Sequence, residues 1–286
     1  MDRKVFLEDM GDEFSARENS EIVILPVPYD GTSTWVKGAD KGPFALLEAS
    51  SELELYDVET CGEVYRHGIF THPPMEVAGI EPCEMVKEVK AVTSGLINEG
   101  KFVVTIGGEH SVSTGAVMAH SEKFDNMCVL QLDAHADLRN EYKGSPYNHA
   151  CVMARVKEIC PFVQVGIRSM SAEEAAGMTR EDVFFAHEIK NSPDWIPRVV
   201  NRLGLNVYVS IDLDVFDPAF LPSTGTPQPG GLDWFQVTSL LRAVSESKNV
   251  VGFDVVELCP RPEEKSSDML AASLVYKTLN YVFMNR

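Results

Sequence analysis

The stretch LQLDAHADLRNEY (130–142) sets Asp133, His135 and Asp137 at alternate positions directly after the apolar run Met127 to Leu132. Residues two apart on a strand face the same side. Three ionisable groups therefore share one face at the end of an apparently buried strand. Left unpaired there, each ionised group would cost several kcal/mol, so something must compensate. Three other apolar runs end in a comparable way. KFVVTIGGEHS delivers His110 after two glycines, VYVSIDLDVFDP delivers Asp212 and Asp214, and VVGFDVVELCP delivers Asp254 and Glu257. A single aspartate at a strand end ordinarily caps a helix or shapes a turn, and His110 alone could cap the helix that follows. His110, Asp133, His135, Asp137, Asp212 and Asp214 taken together read instead as a metal site. Two imidazoles and four carboxylates offer four negative charges, enough to neutralise two divalent cations. With no cysteine in the set, manganese or another hard-to-borderline ion suits it better than a thiolate-type zinc site. Two such ions about 3.5–4 Å apart share a water and lower its pKa towards neutrality.

These groups must be positioned by the elements that precede them. EIVILPVPYDG (21–31) reads as a strand entering a Pro/Gly loop. The segment 42–57 has a helical pattern opened by Pro43, and MVKEVKAVTSGLINEG (85–100) is amphipathic and stops at Gly100. KFVVTIGG reads as a strand and the segment from Ser111 to about Glu122 as a helix. MCVLQLD and FVQVGIR are strands, followed by a helix near 172–178 and the short strand VFFA. A helix from about Asp194 to Leu203 leads into LNVYVSIDLD, a helix over 233–246 into NVVGFDVVEL, and a last helix spans roughly 267–283. Short strands that are apolar on both faces and alternate with helices indicate βαβ units and a parallel sheet covered on both sides. With no linker-like or repeated segment, one domain over 1–286 is expected. In such sheets ligands sit beyond the carboxyl ends of the strands.

Composition narrows the partners. The chain has 286 residues, 44% hydrophobic and 24% charged, and the net charge of −18 disfavours nucleic acid and anionic membranes while suiting cationic small molecules. No run approaches the roughly 18 apolar residues of a membrane span, and the N-terminal segment is acidic, without the apolar core of a secretory signal. The cysteines Cys61, Cys83, Cys128, Cys151, Cys160 and Cys259 are scattered without a CxxC pair. Reduced thiols in a cytoplasmic protein are the expectation.

GGEHS, DAHAD, SIDLDVFDP and GFDVVEL, in this order and spacing, resemble the ureohydrolases, the family of arginase and agmatinase. The resemblance runs from about Pro26 to near the C-terminus. DLRNEYKGSPYNHACVMAR, GIRSMSAEE and STGTPQPGGLDW look more like agmatinases than arginases. The resemblance implies a three-layer α/β/α fold with a mainly parallel central sheet and a site for two Mn2+ per subunit. His110, Asp133, Asp137 and Asp212 would hold one ion, and Asp133, His135, Asp212 and Asp214 the other, so that Asp133 and Asp212 bridge. Glu257 matches the glutamate that binds the substrate guanidinium, and His149, in YNHACVM, the loop histidine associated with proton transfer. The implied reaction is attack of a metal-bridging hydroxide on the guanidinium carbon, with Asp137 near the bridging water as a proton relay. A homo-oligomer, trimer or hexamer, is implied as well.

The implied substrate is agmatine, hydrolysed to putrescine and urea in polyamine biosynthesis. N1-aminopropylagmatine, on a route to spermidine, is the alternative, followed by guanidinobutyrate or arginine. Arginases carry GGDHS where Glu109 stands here. They also place an asparagine, for the amino acid's α-carboxylate, where this chain has Arg139. Both departures favour agmatine, though Arg139 could attract a carboxylate by another route, and Glu141 could meet a distal ammonium. Asp217 is expected to shape the turn with Pro218, Asp254 to play a supporting part, and STGTPQPGG to form an active-site loop or a plain connection. His67, His72, His120 and His187 stand in no motif and have ordinary roles. A two-metal phosphoesterase would need a GNHD/E-type segment, and a one-metal zinc deacetylase fewer carboxylates. A non-catalytic metal-binding paralogue remains as the alternative outside ureohydrolase chemistry, and it would tolerate loss of His149 or Glu257.

Overall fold

The structure, a computed structural model, describes residues 4–284; the outermost residues of the 1–286 span lie outside the described residues. Among the described residues eight strands run in chain order as β1 (Ile22–Val27), β2 (Ile69–Thr71), β3 (Phe102–Gly107), β4 (Met127–Leu132), β5 (Phe162–Ile167), β6 (Val183–Phe185), β7 (Asn206–Asp212) and β8 (Asn249–Val256). They form one sheet of order β2-β1-β3-β8-β7-β4-β5-β6, and every pairing is parallel. The helices are α1 (Asp12–Ser15), α2 (Gly42–Ser50), α3 (Pro82–Asn98), α4 (Val112–Lys123), α5 (Val152–Lys157), α6 (Ala172–Gly177), α7 (Ala186–Ile189), α8 (Trp195–Arg202), α9 (Trp234–Ser247) and α10 (Ser266–Phe283).

Both faces of the sheet are covered, which is why its strands read as continuous apolar runs. Along β1, Ile22 and Ile24 join a core with α2, α9 and α10. Val23, Leu25 and Val27, pointing the other way, join a second core with α3, α4 and α5. The result is the expected three-layer α/β/α arrangement, with the sheet parallel throughout. Among the described residues no helix is long and apolar enough to cross a membrane, and all six cysteines are free thiols.

Several elements depart from the sequence reading. The helix opened by Pro43 stops at Ser50 instead of running to 57. Ser50 Oγ donates back to the Leu47 carbonyl at 2.7 Å and accepts the Leu7 N–H at 3.0 Å, a local bond that competes with helix continuation. Further on, Asp57 Oδ1 accepts the Glu59 and Thr60 N–H groups and fixes a turn. The edge strand β2 and the short helix α5 have no counterpart in the sequence reading. β2 is a three-residue strand beside β1, too short to show a period.

Candidate metal centre

The four central strands β3, β8, β7 and β4 are neighbours, and their carboxyl ends deliver every candidate ligand. Behind β3 the chain must pass close to the loop after β1. A Cβ at Gly108 would lie 2.0 Å from the Tyr29 carbonyl oxygen, so only glycine allows the approach. The Glu109 N–H then donates to Tyr29 O at 2.8 Å, and the His110 N–H donates to Glu257 Oε1 at 2.8 Å. Between β4 and β7 the register pairs Leu132 with Ile211, which sets Asp133 beside Asp212. Asp212 Oδ1 accepts the Asp214 N–H at 2.8 Å, and Asp214 Oδ1 accepts the Ala134 N–H at 3.0 Å. Asp137 (φ 51°) and Glu257 (φ 67°) are held in left-handed backbone conformations. That conformation is unfavourable for a residue with a Cβ and recurs at functional sites. The Asp137 carbonyl is pinned by the Met153 and Ala154 N–H groups at 3.0 and 3.2 Å.

Ligand atoms of His110, Asp133 and Asp212 converge within 4.8 Å of one another, and so do those of Asp133, His135 and Asp214. Asp133 belongs to both groups. His110 Nδ1 lies 3.1 Å from Asp133 Oδ2, 3.1 Å from Asp137 Oδ2 and 3.4 Å from Asp212 Oδ2. His135 Nδ1 lies 2.9 Å from Asp214 Oδ2 and 3.7 Å from Asp133 Oδ1.

The protons tell what belongs between these atoms. Ser210 Oγ gives its one proton to Asp254 Oδ1 at 2.8 Å. The 3.0 Å contact between His110 Nε2 and Ser210 Oγ therefore has Nε2–H as donor. In the neutral ring Nδ1 then carries a lone pair. It is buried, makes no hydrogen bond among the described residues, and faces three carboxylate oxygens. Lone pairs aimed at one another need a cation between them, so the donor set fits divalent metal.

Burial alone would lower the His110 and His135 pKa values. The carboxylates outweigh it, lifting His110 well above its usual range and His135 to about 12. Burial and the neighbouring Asp133 push Asp137 up to about 6, and burial with the Asp214 and Asp133 charges holds Asp212 well above the carboxylate range. Asp133 is buried too, but the two imidazoles it faces lower its pKa. Burial, with Glu109 next, raises Glu257 well above its usual value.

Around the ligands lies a shell of polar side chains; the sequence reading named Asp254 and Asp217 but not Gln131, Gln164, Tyr208, Ser210 or Arg168. Gln131 Nε2 donates to Asp133 Oδ2 at 2.6 Å, and Gln164 Nε2 donates to Gln131 Oε1 at 2.5 Å and Ala136 O at 2.8 Å. Asp254 holds Ser210 and also accepts from the Tyr208 hydroxyl at 2.8 Å. The Arg168 guanidinium donates to the carbonyls of Gly166, Asp214, Phe216 and Gln228 at 3.0, 2.6, 3.2 and 2.9 Å. It thereby ties the Asp214 turn to the STGTPQPGG loop. Asp217 accepts the Ala219, Gly230 and Gly231 N–H groups and closes the base of that loop, while Gly225 borders Glu257 Oε2. The available sequence signal was a polar residue breaking an apolar run two positions before a ligand, as in VLQLD and VSID.

His149 stands in the short turn His149–Cys151. Its Nδ1 lies 3.1 Å from Thr32 Oγ1 and 3.6 Å from Glu109 Oε2. Burial, with the His110 and His135 charges, pushes it down to about 4. Arg139 and Glu141 are elsewhere. Both line a cavity of about 770 Å³ with Lys157, Glu158, Glu173 and Glu174, and none of the six candidate ligands borders it.

Residues 20–280 match the model of the arginase family. The chain belongs to the arginase family. It is 38% identical to the N(1)-aminopropylagmatine ureohydrolase of Synechocystis sp., over 97% of this chain and 94% of that one. Identity to the agmatinase of Pyrococcus horikoshii is 34%, over 91% of each. The crystal structure of the agmatine ureohydrolase of Thermoplasma volcanium superimposes with a TM-score of 0.89 at 30% identity, covering 99% of this chain and 96% of that one. This arginase-family member is a hydrolase, a ureohydrolase of agmatinase type.

Proposed function

We propose that this ureohydrolase uses two Mn2+ ions to hydrolyse the guanidinium of an extended polyamine-type substrate, N1-aminopropylagmatine, releasing urea and spermidine. The observation that carries the reaction is the buried His110 Nδ1 lone pair facing three carboxylate oxygens. For the substrate, support comes from the Synechocystis relative and from a Thermus thermophilus relative of the same name, 40% identical over 94% of this chain. Agmatine is the second reading, favoured by the Pyrococcus and Thermoplasma proteins.

His110, Asp133, Asp137 and Asp212 would hold one ion, and Asp133, His135, Asp212 and Asp214 the other. Bound there, two divalent cations supply Lewis acidity that brings the pKa of water towards neutrality. The chain's own residues supply the rest. A guanidinium stays protonated and its carbon is deactivated by resonance, so it must be held in one orientation. The Glu257 carboxylate, fixed by the His110 N–H, suits pairing with two guanidinium N–H groups. Asp137 and His149 are the side chains we assign to move the proton that the departing amine nitrogen needs. Arg139 does not offer itself to a substrate carboxylate. Its guanidinium lies 3.8 Å from Glu174 Oε2 and stacks over Tyr142 at 4.9 Å, which favours decarboxylated substrates over arginine or guanidinobutyrate. The net charge of −18 suits a polycation.

Urea release by manganese-loaded protein, with N1-aminopropylagmatine, agmatine, arginine and guanidinobutyrate in parallel, tests the reading. The highest kcat/KM is expected with the aminopropyl compound. A preference for agmatine would keep the chemistry and shorten the pocket. No urea from any of the four, with metal bound, would overturn the proposal in favour of a non-catalytic metal-binding role.

A further inference from the structure

Thr32 lies in the loop after β1, in no motif, yet it touches two residues far away in sequence. Its Oγ1 accepts the His149 backbone N–H at 2.9 Å and lies 3.1 Å from His149 Nδ1. The same hydroxyl donates to Oε2 of Glu109. Glu109 is completely buried, and its other oxygen accepts from Ser111 Oγ. A threonine hydroxyl has one proton and two lone pairs. With Glu109 ionised the proton goes to its carboxylate, so both contacts from His149 are donations to oxygen, the second of them from Nδ1–H.

We infer that Thr32 and Glu109 are positioning residues that fix His149 as the Nδ1–H tautomer, leaving Nε2, the nitrogen turned away from Thr32, as the proton acceptor. The inference rests on the ureohydrolase reading only for what Nε2 then does. A proton taken up from solvent at Nε2 makes an imidazolium whose Nδ1–H still points at Thr32 and, 3.6 Å away, at the Glu109 carboxylate. The same proton then passes to the departing amine nitrogen, and the ring returns to its neutral form. Removing the orienting partner of a histidine releases its tautomer even when the ring stays in place. The glutamate has a consequence of its own. An aspartate there would hold its carboxylate one methylene further from Thr32, so the chain of contacts depends on Glu109 being a glutamate.

The test compares Thr32→Val, which keeps the shape and deletes the hydroxyl, with Thr32→Ser, which keeps the hydroxyl. The first readout needs no turnover. It uses the ring 15N resonances of His149 in 15N-histidine-labelled protein loaded with diamagnetic Cd2+, assigned by comparison with His149→Asn. The wild-type protein and Thr32→Ser should show Nδ1 protonated and Nε2 bare. Thr32→Val should show the proton moved wholly or partly to Nε2. The second readout is steady-state kinetics with manganese. Thr32→Val should lose about 10- to 100-fold in kcat with KM changed less than about threefold and metal content intact, and Thr32→Ser should stay within about threefold of wild type. A wild-type His149 protonated on Nε2, or a Thr32→Val protein with an unchanged tautomer, would overturn the inference. So would a Thr32→Ser protein as impaired as Thr32→Val, since that points to packing. If no guanidine is hydrolysed at all, the functional proposal falls while the nitrogen resonances still decide the tautomer.

Discussion

His110 and His120 stand at opposite ends of α4, both buried, and their surroundings drive them in opposite directions. Around His110 three aspartates lie within 3.4 Å of Nδ1, and its pKa rises well above the usual value although burial opposes it. Around His120 there is no carboxylate partner among the described residues. Nδ1–H donates to the Ala116 carbonyl at 2.8 Å, the ring packs on Phe124 and Tyr208, and Nε2 has no hydrogen-bond partner among the described residues. Burial pushes it down to about 4. The fold buries His120 as a neutral packing group. A buried histidine becomes a site only where strand ends bring charge to it, and that happens at the carboxyl edge of β3, β8, β7 and β4.

The comparison breaks most visibly if the charge at the His110 end is removed. Asp133→Asn or Asp212→Asn should abolish metal retention and lower activity by more than about 100-fold, exceeding the typical cost of losing an outer partner of a metal ligand. Metal analysis and urea release measure both, and normal metal content with full activity would remove these residues from the ligand set. Glu257→Gln should keep the metal and lose about 10- to 100-fold in kcat/KM, the scale of one charge-assisted pair. Ser210→Ala takes the acceptor from His110 Nε2 and should weaken metal affinity about tenfold with substrate use little changed.

At the other end of α4 the readout is stability. A Cβ at Gly252 would lie 2.3 Å from His120 Nε2, so Gly252→Ala should destabilise by about 1–3 kcal/mol through overpacking. His120 also predicts an acid limb. Its folded value, about 4, lies below the ordinary 6.5, so between those values the unfolded chain binds a proton that the folded chain refuses. Its contribution is complete above about pH 6.5 and fades as the pH falls through 4, on the order of 3 kcal/mol in all. His120→Phe should flatten the fall of Tm across that window. An unchanged slope would mean that His120 takes up its proton without unfolding.

The same contrast explains what the sequence revealed. Parallel strands buried on both faces must be continuously apolar, so β1, β3, β4, β7 and β8 were legible, and so were the polar residues that end four of them. The two histidines were separable as well, because only His110 follows a strand and two glycines. The reach of the helix opened by Pro43 was not legible, since Ser50 turns it by bonding to Leu7 from a distant segment. Nor was Thr32, which meets His149 across 117 positions. Its place comes from tertiary packing of the β1 loop, which no local pattern encodes. Gln131 and Ser210 left only a faint trace, one polar letter in an apolar run.

The most direct test of the account is a titration of metal-stripped protein with Mn2+, following heat and urea release together. Two equivalents are predicted to bind per chain, with activity appearing as the site fills and both responses lost in Asp133→Asn. Full urea release before any metal is added back, or binding that survives unchanged in that variant, would contradict it.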